Sequence, residues 1–92
     1  MAPSERTIIE RIRRVPPGYV TTYGDLSPGA PRHAGRVLSQ APENVPWWRV
    51  VRSDGAWPKG QRQRALLMAE DVPIRGRRVL MAQARIPPEA IL

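Results

Sequence analysis

The sequence predicts a mainly α-helical fold with a small β-ribbon, arranged as a winged helix-turn-helix-like domain. Three segments, residues 4–15, 31–40 and 60–70, carry apolar side chains at the spacing of amphipathic helices. Two shorter runs, residues 48–51 and 77–82, are rich in β-branched or apolar residues and are typical of strands. A short glycine-containing connection precedes the second helix, as in helix-turn-helix proteins.

The first helix begins after Ser4, because a serine hydroxyl commonly caps helix N-termini. Isoleucines at helical spacing define its inner face, and a Pro-Pro-Gly triplet ends it. The YVTTY run at residues 19–23 then favours an extended strand. Thr22 is placed to cap a brief helical turn over residues 24–26.

Pro31 suits the first position of the second helix, since its fixed backbone angle is already helical. Residues 41–46 read as a loop before the 48–51 strand. The third helix is expected to bury its apolar side chains at Ala65, Leu66 and either Met68 or Ala69. We expect residues 1–92 to form one domain, with a loosely held tail at 84–92.

Composition favours a basic nucleic-acid-binding protein. The chain has 15 basic and 8 acidic residues, a net charge of +7, and every basic residue except Lys59 is arginine. Such a surface attracts polyanions, and the planar guanidinium suits phosphate. The alternative reading is compositional, because a GC-rich genome also produces abundant Arg, Ala and Pro.

The residue types also exclude several kinds of site. The chain contains no cysteine and a single histidine, and it has no acidic cluster. Disulfides and thiolate sites are therefore excluded, and we expect neither a metal nor a cofactor. The N-terminus lacks the apolar segment of a signal peptide, and no apolar run approaches the roughly 18 residues of a membrane span. We expect no membrane association and a location in the bacterial cytoplasm, on the nucleoid.

Four motifs occur in a specific order: PPGYVTTYGDL, APRHAGRVL, VPWWRVVRSDG and GQRQRALLMAEDV. Together they resemble the C-terminal, DNA-binding domain of O6-alkylguanine-DNA alkyltransferases over residues 5–80. The central motif of those enzymes is Pro-Cys-His-Arg-Val-Val, whereas residues 46–51 here read Pro-Trp-Trp-Arg-Val-Val. With Trp at the Cys position, the chain resembles the alkyltransferase-like proteins, which bind alkylated DNA without repairing it.

The resemblance implies how the protein contacts DNA. Tyr23, in TTYG, matches a tyrosine that helps to turn a phosphate as a base flips. Arg32 matches an arginine that enters the duplex and fills the vacated space. Small residues around it match those that let the recognition helix lie close in the minor groove. The predicted DNA-contacting residues are Tyr23, Ala30, Arg32, Ala34, Gly35 and Arg36.

The resemblance also bears on catalysis. The enzymes activate their Cys through an Asn–water–His–Glu relay, and the corresponding positions here are Ala41, Trp48 and Glu70, with Trp47 replacing the Cys. Alkyl transfer needs a thiolate and a positioned base, and an indole supplies neither. We therefore expect no catalytic residue and no enzymatic activity.

A flipped guanine needs a pocket with flat apolar walls, and stacking on an aromatic ring is worth about 1–3 kcal/mol. Trp47 stands where the Cys would meet the alkyl group, so it is expected to form one wall. Strand alternation would put Trp48 on the opposite face, leaving open whether it lines the pocket or packs in the core. The predicted lesion-pocket residues are Tyr23, Trp47, Trp48, Val50, Val51 and Trp57.

The sequence thus predicts a monomeric, non-enzymatic sensor of O6-alkylguanine in double-stranded DNA. It would bind the minor groove, flip the damaged nucleotide and flag it for nucleotide excision repair proteins, a partnership that the resemblance implies. The main alternative is a winged-helix transcription regulator that reads base edges in the major groove. An RNA-binding or ribosome-associated basic protein, or an enzyme of unknown type, are the other readings.

Overall fold

The structure, a computed structural model, describes residues 2–92 and consists mainly of helices with two small sheets. This confirms the predicted fold class. The helices are α1 (Glu5–Arg13), α2 (Tyr23–Leu26), α3 (Pro31–Ser39), α4 (Gly60–Ala69) and α5 (Met81–Ala84). The strands are β1 (Thr21–Thr22), β2 (Val50–Val51), β3 (Ile74–Arg75) and β4 (Arg78–Val79), and 3₁₀ turns lie at Trp47–Arg49 and Pro88–Ala90. No helix in the described range has both the length and the apolar character needed to cross a membrane.

Two local side-chain caps form as the sequence predicts. The Ser4 hydroxyl accepts a hydrogen bond from the Thr7 amide at 3.1 Å and starts α1. The Thr22 hydroxyl accepts one from the Asp25 amide at 3.0 Å and starts α2. Each cap satisfies a backbone NH that the first helical turn leaves free. The single turn of α2 and the helix α3 form the helix-turn-helix.

The sheets differ from the prediction in extent. Strand β1 pairs with β2 in parallel, with Thr21 opposite Val50, while β3 and β4 form an antiparallel hairpin. The predicted 48–51 strand holds only at its second half, because residues 47–49 close a 3₁₀ turn in which the Val50 amide donates to the Trp47 carbonyl. The predicted 77–82 strand shortens to β4, because the helix formers after residue 80 begin α5.

Two adjoining apolar cores hold these elements. The first core contains Ile8, Ile12, Val15, Leu26, Ala34, Val37, Leu38, Val45, Val50, Ile86 and Ile91. The second core contains Val20, Val51, Leu67, Val72, Val79 and Ala84. Strand β2 lies at the boundary, since Val50 belongs to the first core and Val51 to the second. The segment just before β2 can therefore reach both.

The predicted inner face of α4 is wrong. Ala65, Met68 and Ala69 are exposed and Leu66 is only half-buried, whereas Gln63 and Leu67 are fully buried. Helical spacing puts Gln63 and Leu67 on one face of α4. Because Gln63 is polar, this face does not show the apolar pattern from which a buried face is predicted. The buried glutamine is stable there because backbone groups satisfy its amide.

The prediction of a loosely held tail at 84–92 is also wrong. Ile86 and Ile91 are buried in the first core. The Ile86 amide donates to the Val20 carbonyl at 2.9 Å, and Arg14 donates to the Ile91 carbonyl at 3.0 Å. Arg85 forms two hydrogen bonds with the Asp25 carboxylate, at 2.7 and 2.8 Å. The tail is held in place by residues that lie far from it in the sequence, and the tail sequence alone does not reveal them.

Candidate nucleic-acid interface

The adjacent tryptophans lie in the 3₁₀ turn Trp47–Arg49, here called the Trp turn. Their rings meet edge to face, with centroids 6.0 Å apart and planes at 89°. Trp47 packs against the first core and Trp48 against the second. A 3₁₀ turn rotates successive side chains by about 120°, so the turn itself, rather than strand alternation, separates the two indoles.

Trp48 packs against a buried charged brace. Arg49 donates to Glu70 through Nε at 2.9 Å and through a second, shorter bond from Nη2. Its Nη1 donates to the Val15 carbonyl at 2.8 Å, and its guanidinium carbon lies 5.3 Å from the centre of the Trp48 ring. Both side chains of the ion pair are less than one-fifth exposed. The brace ties the Trp turn to α4 and to the end of α1.

Glu70, which the family resemblance matches to the enzymes' relay carboxylate, is held in its charged form by its surroundings. Burial alone would raise its pKa. The hydrogen bonds from Arg49, the nearby Trp48 NH and the Arg49 charge outweigh burial and lower the pKa below its usual value. The Trp48 indole NH lowers the pKa of Glu70 through its proximity, although it forms no hydrogen bond of normal geometry. Glu70 is thus a structural anion rather than a free base.

Gln63 links the Trp turn to the loop before α4. Its side chain is fully buried, and its amide nitrogen donates to the carbonyls of Trp48 at 3.1 Å and Val50 at 2.8 Å. Its amide oxygen accepts from the Lys59 NH at 2.9 Å. Sequence reasoning missed this residue. The available signal was a glutamine four residues before Leu67, on the inner face of a helix.

Trp47 borders an open cavity of about 320 Å³, here called the Trp47 cavity. Its lining residues are Leu38, Ser39, Ala41, Glu43, Trp47, Lys59 and Arg62. The guanidinium carbon of Arg62 lies 5.6 Å from the centre of the Trp47 ring. The family resemblance of the sequence implies that Ala41 and Trp47 correspond to the enzymes' relay Asn and reactive Cys, and both residues line this cavity.

The other predicted pocket residues lie elsewhere. Val50 and Val51 are fully buried in the two cores, so neither reaches a cavity wall. Trp48 is partly buried and packs against the second core. Trp57 also packs there and lines a separate groove with Gln61, Arg64 and Arg77, among others. Tyr23 lines a further groove beside α3.

That further groove, here called the α3 groove, has a volume of about 490 Å³. Its lining residues are Thr22, Tyr23, Gly24, Pro31, Arg32, Gly35, Arg52 and Ser53. Gly35 lies against the Tyr23 ring, where a Cβ atom would come within 3.9 Å. Burial raises the pKa of Tyr23 although the Arg52 charge opposes this, so its hydroxyl stays protonated at neutral pH and can donate a hydrogen bond.

The predicted DNA contacts divide into surface and core residues. Arg32 and Arg36 are exposed on α3, and Ala30 is half-buried just before Pro31. Ala34, predicted among the DNA-contacting residues, is fully buried in the first core, so its side chain is not on the surface of α3. It lies on the inner side of α3 because it shares a helical face with Leu38.

Arg52 and Ser53 join the α3 groove from the turn after β2, and sequence reasoning did not assign Arg52 to a site. Gly55 fixes this turn, because its φ of +89° places a would-be Cβ atom 2.4 Å from the Val79 carbonyl oxygen. The Val79 amide donates to the Gly55 carbonyl at 2.9 Å. Only glycine fits such a position, which the SDG triplet signals as a turn.

The site contains no chemistry for alkyl transfer. The chain has no thiol, and the carboxylate that remains from the relay is paired with Arg49. Among residues 2–92, no group of three or more His, Asp or Glu side chains could hold a metal ion. The arrangement is suited to binding a ligand. The α3 groove presents arginines and a tyrosine, and the Trp47 cavity presents an indole beneath a guanidinium.

Comparison with known proteins places these features in context. Residues 3–72 match the family described as "6-O-methylguanine DNA methyltransferase, DNA binding domain". The chain is 45% identical over 76 residues to a DNA base-flipping protein of Escherichia coli (strain K12), covering 71% of this chain and 59% of that protein. It thus spans about three-fifths of that relative's length. A DNA base-flipping protein of Vibrio parahaemolyticus is 38% identical over 74 residues, covering 68% of this chain and 74% of the relative.

Two solved structures from S. pombe share the fold. One is Atl1 in complex with damaged DNA containing O6-carboxymethylguanine, with a TM-score of 0.82 and 24% identity, covering 91% of this chain and 94% of that one. The other is ATL in complex with DNA, with a TM-score of 0.73 and 28% identity, covering 83% and 86%.

Proposed function

The chain belongs to the 6-O-methylguanine DNA methyltransferase DNA-binding domain family, and on that premise we propose that it recognises O6-alkylguanine in double-stranded DNA without repairing it. The membership confirms the family resemblance of the four sequence motifs. Because the chain lacks any thiol, it has no acceptor for an alkyl group and is not an alkyltransferase. Its function is therefore binding.

The observation that carries the proposal is the Trp47 cavity. An indole occupies the position of the reactive Cys and forms one wall of a space large enough for an alkylated base edge. A flipped guanine would stack or pack on this ring, and base–aromatic stacking contributes about 1–3 kcal/mol. A weakened base pair is easier to open, so flipping itself favours a lesion over a normal pair.

The α3 groove supplies the surface for the duplex. Arg32 and Arg52 border it, and neither forms an ion pair within residues 2–92, so both are available to DNA. Gly35 leaves room for the backbone of α3 to approach the minor groove, and Tyr23 offers a hydroxyl donor to a phosphate. We propose that Arg32 enters the duplex and fills the space left by the flipped base.

The relatives support the flipping step. Two of them are named DNA base-flipping proteins, and the S. pombe Atl1 structure contains damaged DNA. We propose in addition that the bound protein flags the lesion for nucleotide excision repair and that it acts as a monomer on the bacterial nucleoid. These last steps rest on the alkyltransferase-like resemblance.

A titration tests the proposal. Two duplexes of identical sequence, one with a single O6-methylguanine, are titrated with protein at fixed salt, and the mass of the recovered protein is then measured. We expect tighter binding to the damaged duplex and an unchanged protein mass. Equal affinity for both duplexes would reject the sensor and favour a winged-helix regulator, for which operator selection should then succeed. A protein mass increased by one methyl group would show transfer.

A further inference from the structure

We propose that the Trp47 cavity selects O6-alkyl groups that carry a negative charge, and that Lys59 and Arg62 provide this selectivity. The inference rests on the proposed function, since it assigns a lesion class to the same cavity. The sole lysine of the chain and an arginine line the cavity, and a single carboxylate, that of Glu43, lies with them. The lining therefore carries two positive charges and one negative charge.

The two cations are free to act on a ligand. Within residues 2–92, neither Lys59 nor Arg62 forms an ion pair. The Arg62 guanidinium lies over the Trp47 ring, with 5.6 Å between its carbon and the ring centre. In the proposed complex the alkyl group arrives at that ring, so Arg62 would lie beside it. Its charge would act on whatever the alkyl chain carries.

Lys59 is held in place by a buried contact. Its amide donates to the Gln63 side chain, and the same glutamine donates to the carbonyls of Trp48 and Val50. Gln63 is fully buried, and each polar atom of its amide group has a hydrogen-bond partner. The backbone of Lys59 is thus fixed relative to the Trp turn before any ligand binds, so a contact with its ammonium group orders only the side chain.

Two alkyl groups of nearly equal size isolate the effect of charge. A carboxymethyl and a carbamoylmethyl group differ by a charge but hardly in volume. A carboxylate would accept charge-assisted hydrogen bonds from the cations, and these are stronger than those of a neutral amide. The base would also cover the cavity and exclude water, which strengthens the interaction. Glu43 opposes the preference, but it is one carboxylate against two cations, so the charged residues of the lining carry a net positive charge.

The experiment uses four duplexes that differ only in one guanine: unmodified, O6-methyl, O6-carbamoylmethyl and O6-carboxymethyl. At low salt we expect the carboxymethyl duplex to bind about fivefold more tightly than the carbamoylmethyl duplex, the upper range for an exposed charge pair. The ratio should fall towards one as salt increases. Equal affinity for these two duplexes at low salt would overturn the inference.

Variants assign the preference to residues. Lys59→Gln and Arg62→Gln should each reduce the carboxymethyl-to-carbamoylmethyl ratio, while Glu43→Gln should increase it. Arg64→Gln is the matched control, since Arg64 lies on the same helix but lines the groove of Trp57. If Arg64→Gln reduces the ratio as much as Arg62→Gln, general surface charge explains the preference and the inference fails. All four side chains are exposed, and thermal unfolding checks that each variant folds.

The same four duplexes separate this inference from the proposed function. If O6-methylguanine binds no more tightly than unmodified DNA, the lesion-sensor proposal fails. If O6-methylguanine is preferred but the charged and neutral alkyl groups bind equally, the sensor proposal stands and only the charge selectivity fails.

Discussion

Trp47 and Trp48 are neighbours in the chain, yet the two sides of the Trp turn have different physical characters. On the Trp47 side, the indole borders an open cavity and faces the Arg62 guanidinium. On the Trp48 side, the indole packs in the second core beside the Arg49–Glu70 pair. Both rings lie near an arginine, but Arg62 is exposed and forms no ion pair within residues 2–92, whereas Arg49 is largely buried and paired. The difference teaches that the partners of an aromatic side chain, not its type, decide its role.

The comparison also gives Glu70 a structural role that does not depend on a catalytic relay. A catalytic relay needs a base between the carboxylate and the nucleophile, and Trp48 cannot serve as one. Glu70 nevertheless accepts two hydrogen bonds from Arg49, which in turn donates to the Val15 carbonyl. The carboxylate therefore connects α4 to the Trp turn through Arg49, a structural role that needs no base. Variants on the Trp48 side should affect stability, and variants on the Trp47 side should affect binding.

Glu70→Gln is expected to have the largest effect, a loss of about 2 kcal/mol in the free energy of unfolding at neutral pH, since hydrogen bonds to charged groups have this magnitude. Chemical denaturation measures it, with the exposed Glu43→Gln as the matched control. The ratio of affinities for damaged and plain DNA should change little. A stable variant that has lost lesion preference would contradict the division of roles.

The same variant makes a prediction about pH. The pKa of Glu70 is lower in the folded protein than its ordinary value of 4.5, so its stabilisation is present above that pH. It is lost as the pH falls from about 4.5 through the lower folded pKa. We therefore expect the stability difference between the parent and Glu70→Gln to shrink over that acidic range. A difference that stays constant would show that the charge of Glu70 is not what stabilises the fold.

Trp47→Ala is expected to weaken binding to an O6-methylguanine duplex by about 1–3 kcal/mol through lost stacking. Binding to the plain duplex should change much less, and fluorescence anisotropy measures both. Trp48→Phe is the matched control on the other side, and it should lower stability while preserving the affinity ratio of the folded protein. If the two variants lose lesion preference equally, the Trp turn does not separate the roles.

The smallest of these expected effects is that of Arg32→Lys, which should reduce the preference for damaged over plain DNA about tenfold. The lysine keeps the charge but lacks the planar guanidinium that can stack in the vacated space. Unfolding free energy should not change, because Arg32 is exposed on α3. Base flipping can be followed by the fluorescence of 2-aminopurine placed beside the lesion. An Arg32→Lys variant that flips and discriminates like the parent would make Arg32 an ordinary phosphate contact.

The sequence predicted local structure better than long-range structure. The Ser4 and Thr22 caps and the start of α3 at Pro31 depend on neighbouring residues, and all three were predicted correctly. The buried tail depends on partners elsewhere in the chain, including the Val20 carbonyl, which local patterns do not reveal. The inner face of α4 was mistaken because a polar residue, Gln63, anchors it.

The residues of the candidate site were also predicted only in part. Tyr23, Arg32 and Gly35 came from motif matches, and the structure brings them together in the α3 groove. Val50 and Val51 were placed in the pocket because they adjoin Trp47 in sequence, but β2 carries them into the cores. The contribution of Arg62 was missed, because its approach to Trp47 depends on packing between α4 and the Trp turn.

The division between the two indoles can be tested most directly by NMR. The protein has three tryptophans, so a ¹⁵N-labelled sample should give three indole NH resonances, assigned by single Trp→Phe variants. On titration with an O6-methylguanine duplex, we expect the Trp47 resonance to shift most, and to shift far less with the plain duplex. The buried Trp48 resonance should shift little with either. A Trp47 resonance that responds equally to both duplexes, or a lesion-specific shift confined to Trp48, would contradict the assignment of the lesion cavity.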